Sequence, residues 1–458
     1  MLDPEIIRKS PQVVRANLEK RGDVARIPVL ENAIRWDREW RDGQRELDAL
    51  RHRRNLITHE IRELKAAQKD AGEKIKEASE LPAKIKALGE RVEGLHRDLR
   101  DAMLRLPNLL HESVPTGTRD ADNKEVRRWG KPKVPEFELK PHGELAEALG
   151  LADFDRARKV AGAGFVYLLG DLARLDQAFL RFGIDFLVKR GFTAVFPPLA
   201  LRRSAYEGMV DLSAFEDVMY KVEGEDLYLI ATSEHPLGAM FMDEIVDDAK
   251  LPLKFAGVST NFRKEIGAHG VDTKGLFRMH QFNKVEQFVF CRPEDSWRLH
   301  EELQENAEAF YRALGLPYRV VILCSGDTGK VAAKTYDLEA WFPRQRAYRE
   351  VGSNSNCTDY QTRRLNIRVG KAGGEKVLVH TLNNTLVATS RAMVAILENF
   401  QRKDGSVAIP KVLRPYMGGV AVLGATRPPR REKSRRSLKP GRSRASGERA
   451  RRSHKSRS

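Results

Sequence analysis

Several short stretches of this chain carry residue types that could do chemistry together. In residues 258–290, VSTNFRKEIGAHGVDTKGLFRMHQFNKVEQFVF, Arg263 and Glu265 stand two positions apart, which puts both on one face of an extended segment. Arg278, Phe282 and Glu286 follow at intervals of four and share that face if the return segment is also extended. Forked donors, an aromatic plate and carboxylates together suit a nucleotide triphosphate and an ammonium group. Thr232, Ser233 and Glu234 come directly after the apolar run LYLI. A carboxylate with hydroxyls suits a small polar amino acid, although Ser-Glu after a strand is also a common helix start. Glu350 and Ser353 lie on AYREVGSNSN, read as a strand running into an Asn/Ser-rich loop. Arg391 stands at the start of an amphipathic helical pattern in ATSRAMVAILENFQ, where free N–H groups favour an anion. The turn GDTGK at 326–330 lacks the GxxxxGK[ST] spacing and is not a phosphate loop.

The elements needed to hold these residues are legible in the pattern. Valines and aromatics mark FRKEI and VEQFVF as strands, with Gly267, Gly270 and Gly275 in the long turn between them. Residues 173–190 read as a helix ending at Gly191, followed by the strand FTAVFPPLAL closed by Pro197 and Pro198. Residues 294–314 are helical, and two strands separated by a turn at 326–329 follow. Near the N-terminus, Ile6, Ile7, Val13, Val14 and Leu18 give a short amphipathic helix with Pro11 near its start.

Between residues 31 and 106 the apolar residues fall on interlaced sevens. Trp40, Leu47 and Ile61 form one series, interrupted by Arg54, and Leu50, Ile57 and Leu64 form another. After a polar stretch, Ala78, Ile85, Val92, Leu99 and Leu106 interlace with Leu81, Leu88, Leu95 and Ala102. A seam every 3.5 residues is coiled-coil geometry. With a turn near residues 70–72 the halves are antiparallel, each roughly 35 residues and about 50 Å long. Pro82 is tolerable if the second helix begins close by. Arg51, Arg53, Arg54, Lys65, Lys69, Lys74 and Lys76 line the outside. Periodicity alone fits a dimerisation coiled coil or a projecting arm.

At 458 residues the chain should hold two or more domains. Its formal charge is +17, but residues 427–458 hold fourteen Lys/Arg against two Asp/Glu, so most of the excess sits in a Ser/Arg-rich tail that cannot bury a core. That tail is either a nonspecific RNA contact or a disordered extension. Three cysteines without CxxC spacing argue against a disulfide framework and a cysteine zinc site. With no apolar run long enough to span a bilayer, a cytoplasmic protein without a membrane partner is expected.

The stretch FRKE…GLFRMHQFNKVE resembles motif 2 of the class II aminoacyl-tRNA synthetases, most closely the seryl-tRNA synthetases. The helix–Gly–strand–Pro run resembles motif 1, ATSEHP the family's TxE loop, and HTLNNTLVATSRAMVAI motif 3. Bacterial members usually read NGSGLA where this chain has NNTLVA, a variant similar to the archaeal-type pattern. The implied fold is α+β: a class II antiparallel sheet flanked by helices, preceded by a long antiparallel two-helix coiled-coil arm. The implied layout is a tRNA-binding domain over 1–111 (arm 31–106), a linker over 112–134, a catalytic domain over 135–424 and a basic tail over 425–458.

The resemblance also implies the chemistry. L-Serine attacks the α-phosphorus of ATP to give seryl-adenylate and pyrophosphate, and the terminal ribose hydroxyl of tRNA(Ser) then takes the seryl group, with tRNA(Sec) as a further candidate acceptor. No side chain need transfer a proton; the site positions its substrates and neutralises charge. Arg263 and Arg391 are implied as the catalytic arginines, clamping the α- and γ-phosphates. ATP contacts fall on Arg263, Lys264, Glu265, Arg278, Met279, Phe282, Glu350, Val351, Gly352, Ser353 and Arg391. Phe282 stacks on adenine, and Glu265 and the Met279 backbone read the base. Thr232, Ser233, Glu234, Arg263, Glu286 and Thr385 surround serine. Glu350 and Ser353 hold Mg²⁺ with ATP, no structural zinc is expected, and the family implies a homodimer. A carrier-loading paralogue lacking the arm and a non-catalytic binding protein are the rivals.

Overall fold

The computed structural model describes residues 1–212, 216–264, 275–370 and 374–424. The basic tail and Glu265 lie outside the described residues. Residues 1–424 form one unit.

Two short helices open the chain, α1 (Pro4–Lys9) and α2 (Pro11–Lys20), each with a proline in its first turn where no N–H partner is needed. The arm follows as α3 (Ile27–Ala66) and α4 (Gly72–Arg105). Every apolar member of the interlaced sevens is buried or half-buried, with Leu47, Ile57, Leu81, Val92 and Leu99 fully so. Gly43 is needed where the helices approach: a Cβ there would lie 2.9 Å from Val92 Cγ2. Trp40 stacks on His96, Arg53 forks onto Glu77 at 2.8 and 3.0 Å, and Lys74 pairs with Glu60 at 2.7 Å. Seam and flanking charges therefore fix one antiparallel register. Pro82 is not at the helix start but inside α4, ten residues beyond Gly72. The seam that buries Leu81 carries the helix through the missing hydrogen bond.

The body is built on an eight-stranded sheet. In chain order its strands are β1 (Lys124–Trp129), β2 (Thr193–Val195), β3 (Leu253–Phe262), β4 (Gln281–Cys291), β5 (Tyr318–Ile322), β6 (Lys334–Phe342), β7 (Ala347–Thr358) and β8 (His380–Ala388). Across the sheet the order is β1-β5-β6-β7-β8-β4-β3-β2, antiparallel except for the β2–β3 pair. Residues 124–129, expected as linker, are thus the sheet's edge strand. Helices α5 (Gly170–Val188), α7 (Ser296–Leu314) and α9 (Thr389–Asn399) pack against the sheet and share its principal core with Leu175, Phe179, Leu303, Phe310, Leu382 and Ile396. Two short helices lie between, α6 (Glu234–Gly238) and α8 (Tyr360–Arg364).

Two local readings are corrected. The Asn/Ser-rich run after Ser353 stays in β7 rather than forming a loop, with the N–H₂ groups of its buried amides donating inside the protein. Asn354 Nδ2 donates to the His300 carbonyl at 2.9 Å and Asn356 Nδ2 to Ser296 Oγ at 3.2 Å. The helix that carries Arg391, α9, is buried nearly all round rather than on one face, since it sits between the sheet, α5 and residues 142–148.

Candidate active site

A cavity of about 240 Å³ opens over the middle strands. Its walls include Arg263, Arg278, Met279, Phe282 and Glu286 from the β3–β4 hairpin, Thr232 and Glu234 from the turn into α6, Glu350 to Ser353 from β7, Thr385 from β8 and Arg391 from the first turn of α9. Thirteen sequence-predicted residues thus converge from five separate segments.

Strand pairing explains the convergence. Glu286 lies opposite Thr385 across β4–β8, and Thr385 Oγ1 donates to Glu286 Oε2 at 3.3 Å. Asp337 lies opposite Ser353, and Glu339 opposite Glu350, across a register shift in β6–β7. Cross-strand partners share a face, so these hydroxyls and carboxylates are held by backbone geometry rather than by loops. Gly352 permits β7 to approach β8: a Cβ there would lie 2.8 Å from the Thr385 carbonyl oxygen.

Arg263 stands just past the end of β3, not within it, but its N–H still donates to the His280 carbonyl at 2.9 Å. Its guanidinium reaches the Ala231 carbonyl at 3.4 Å and sits 5.9 Å from the Phe282 ring centroid. Arg391 pairs with Glu350, Nη1 to Oε1, at 2.7 Å and lies 5.4 Å from the Phe277 ring centroid.

Two predicted residues are not among the walls. Lys264 points to Tyr220, 5.5 Å from its ring centroid, while its N–H is held by the Val218 carbonyl. Ser233 caps α6 by position, fully buried against Gly257 and facing β3.

Sequence reasoning missed Lys284, Phe277, Ser355 and Asn383, all in the wall. Lys284 pairs with Glu286 and donates to Thr232 Oγ1 at 2.7 Å, so it links the hairpin to the TxE turn. It is buried, and alternation with Glu286 along β4 could have flagged it. Gln361 is also new: its Nε2 donates to Glu234 Oε1 at 3.0 Å.

The electrostatics are those of a charge-receiving site. Burial, and then the nearby Glu286 carboxylate, push Glu234 up to about 7. Burial also raises Glu286, against the opposing pull of Lys284. Asp337 is held well above the ordinary carboxylate range by burial and the neighbouring Glu350. Burial drives His235, next to Glu234, down to about 3, so it stays neutral. A pocket whose carboxylates resist ionisation is suited to a cation that compensates them.

The donor set also fits a divalent cation carried by phosphates. Glu350 and Ser353 supply hard oxygens beside Asp337, whose buried Oδ1 has no hydrogen-bond partner among the described residues. No cluster of three His, Cys, Asp or Glu able to hold a metal alone occurs among those residues. Magnesium takes one or two carboxylates and completes its shell from substrate phosphates and water.

Comparison with known proteins agrees with this geometry. The family described as tRNA synthetase class II core domain (G, H, P, S and T) matches residues 218–400, and the seryl-tRNA synthetase N-terminal domain matches residues 1–110. The serine–tRNA ligase of Methanocella arvoryzae is 55% identical over 92% of this chain and 100% of its own length. The crystal structure of seryl-tRNA synthetase from Pyrococcus horikoshii complexed with ATP superposes with a TM-score of 0.89 at 47% identity, covering 92% of this chain and 99% of that one. The cytoplasmic serine–tRNA ligase from Naegleria fowleri in complex with AMP gives 0.83 at 35% identity, over 92% and 98%. With the arm, the antiparallel sheet and the convergent arginines and carboxylates all in place, the chain belongs to the seryl-tRNA synthetase family of class II aminoacyl-tRNA ligases.

Proposed function

We propose that the pocket activates L-serine with ATP and passes it to the 3′ end of tRNA(Ser). The observation that carries this reading is the placement of two arginines and two buried carboxylates around one cavity: Arg263 and Arg391 for phosphates, Glu234 and Glu286 for an ammonium. Thr232, Glu234, Glu286 and Thr385 hold serine, its hydroxyl facing Thr385 and its ammonium the two carboxylates. Arg263 bridges the serine carboxylate and the α-phosphate, neutralising charge that builds on the phosphorus as the bond forms. Phe282 stacks on adenine, Arg278 steadies the outer phosphates and Arg391 takes the γ-phosphate. Glu350 and Ser353 would hold magnesium, which supplies charge neutralisation of the leaving pyrophosphate. Met279, Val351 and Gly352 line the nucleotide with backbone. For Glu265 the base-reading role stands on the resemblance alone, and Lys264 and Ser233 support the site from outside its walls.

The division of labour follows the expected layout, with residues 1–111 as the tRNA-binding part and the sheet as the catalytic part. Arg54, Lys65, Lys69 and Lys76 are exposed along the arm and suit the backbone of an A-form helix, whose deep groove hides base edges. The reading includes a homodimer formed at motif 1. In support, β2 is an edge strand, and beside it Phe196 is 75% exposed and Val188 49% exposed. None of the described helices is long and apolar enough to cross a membrane, and the reading places the protein in the cytoplasm, where its tRNA is.

The test is aminoacylation of purified tRNA(Ser) and tRNA(Sec) with labelled serine. Charging of tRNA(Ser) supports the reading; charging of neither, with active serine-dependent adenylate formation, would remove the acceptor assignment.

A further inference from the structure

The five-residue helix α8 lies between the serine pocket and the foot of the arm, and its side chains serve the two alternately. Gln361 is fully buried and turned to the pocket: its Nε2 donates to Glu234 Oε1 at 3.0 Å and to the Met209 carbonyl at 3.4 Å. Its Oε1 accepts from Thr381 Oγ1 at 2.6 Å, so the amide has one defined orientation. Three of its neighbours on α8 reach the foot of the arm. Tyr360, 1% exposed, donates its hydroxyl to the Leu106 carbonyl at 2.6 Å, the residue that ends α4. Arg364 donates to the Leu104 carbonyl at 2.9 Å and to Val210 and Glu207 carbonyls at 2.8 Å each. Arg363 pairs with Asp3, the cap of α1, at 2.8 Å. The Tyr360 ring itself belongs to the cluster formed by Leu2, Ile7, Leu30, Leu99 and Met103 at the arm's foot.

These bonds satisfy the Leu104 and Leu106 carbonyls at the end of α4 with side chains of α8, where a free helix end would leave them to water. Five residues of helix are too short to bend internally. A shift of the α4 end must therefore be taken up either by breaking the Tyr360 and Arg364 bonds or by moving Gln361.

We propose that α8 couples the seating of the arm to the serine pocket, with Gln361 a positioning residue that holds Glu234 for the serine ammonium and Tyr360 and Arg364 the grip on α4. This rests on the assignment of Glu234 to serine given above. Among the described residues no side chain of α8 bonds to a residue assigned to the nucleotide, so the coupling acts on serine more than on ATP.

Glu234 is faced by Glu286 and Lys284 from β4, by Arg263, by its neighbour His235 and by Cys357 at the end of β7. Among these, Gln361 is the group whose hydrogen bond favours the ionised carboxylate. Losing that donor moves the pH at which serine binds upward.

The experiment is serine-dependent ATP–pyrophosphate exchange by the full chain between pH 6 and 9, with KM measured for serine and for ATP. The wild type is compared with Gln361→Met, Tyr360→Phe and the double variant, and Arg364→Lys serves as a second lesion of the grip. Gln361→Met is expected to raise the serine KM roughly tenfold, the usual effect of losing a bond to a charged group, to leave the ATP KM unchanged and to shift the pH profile alkaline. Tyr360→Phe or Arg364→Lys is expected to raise the serine KM a few-fold at constant ATP KM. In the double variant the effects should combine to less than their product, the sign of a shared path. Grip variants with unaltered serine KM, equal changes in both KM values, or strictly multiplicative effects would overturn the coupling. Absence of serine-dependent exchange in the wild type would instead strike the functional reading itself.

Discussion

Arg391 Nη1 and Glu350 Oε1 pair at 2.7 Å between the first turn of α9 and the middle of β7. The two residues proposed for the γ-phosphate and for magnesium are therefore held against each other by the helix and strand that carry them. In the proposed reading a phosphate would take the arginine and a magnesium ion the carboxylate. Side-chain exposure of 25% for Arg391 and 43% for Glu350 leaves both within reach of a ligand.

From this pairing, Arg391→Ala should lower kcat for serine activation by about 10²–10³-fold, the scale of losing one preorganised donor in a dry site. Glu350→Gln should raise the magnesium concentration needed for half-maximal rate. Both should retain the wild-type circular dichroism. An Arg391→Ala enzyme with an unaltered rate would show that the arginine serves the fold and not the phosphate.

The pH dependence follows from Glu234, which burial and Glu286 hold at about 7 in the empty pocket. A carboxylate raised in this way is neutral below that value, so its attraction for an ammonium is present above pH 7 and lost as the pH falls through it. The serine KM should rise about tenfold for each unit below 7, while the ATP KM stays level. Near pH 7, serine binding should release a fraction of a proton, visible as a buffer-dependent heat in calorimetry. A serine KM flat from pH 6 to 8 would contradict this.

The arm test needs a cut chosen from the structure. Leu30, Ala33, Leu99, Ala102 and Leu106 belong to the cluster packed on Tyr360, so removing 31–106 would take the foot with the arm. Replacing only 47–88 with a short turn leaves that cluster intact. The truncated protein should form adenylate at the wild-type rate and charge tRNA(Ser) at least a hundredfold more slowly, with the loss concentrated in the tRNA KM. Charging at full rate would assign the arm another task.

The dimer can be tested at Phe196, 75% exposed beside the edge strand β2. Phe196→Asp places a charge in the proposed interface. Sedimentation should show a species of twice the 51.9 kDa chain mass in the wild type and the single chain in the variant. A wild-type monomer would remove the interface.

Much of this was legible because the signals are local or periodic. The interlaced sevens named the buried seam of α3 and α4 residue by residue, and the resemblance to the class II motifs brought Arg263, Phe282, Glu350 and Arg391 to one cavity. What was not legible depends on contacts between distant segments. Lys284 reads as one charge in a strand until Thr232 is seen 2.7 Å away, and Gln361 reads as an ordinary polar residue until β8 and α6 close around it. Residues 124–129 passed for linker since every one of them is exposed, as an edge strand's residues can be. Pro82 misled because local propensity was outweighed by the seam around it.

The most direct test of the account is ATP–pyrophosphate exchange without tRNA, with serine, threonine, alanine and glycine in turn, for the wild type and Arg263→Ala. The account predicts exchange with serine, rejection of alanine by roughly 10⁴-fold because the pocket's hydroxyl partners would be left unpaired, and none above background from folded Arg263→Ala. Exchange driven by another amino acid in preference to serine, or undiminished exchange in Arg263→Ala, would contradict it.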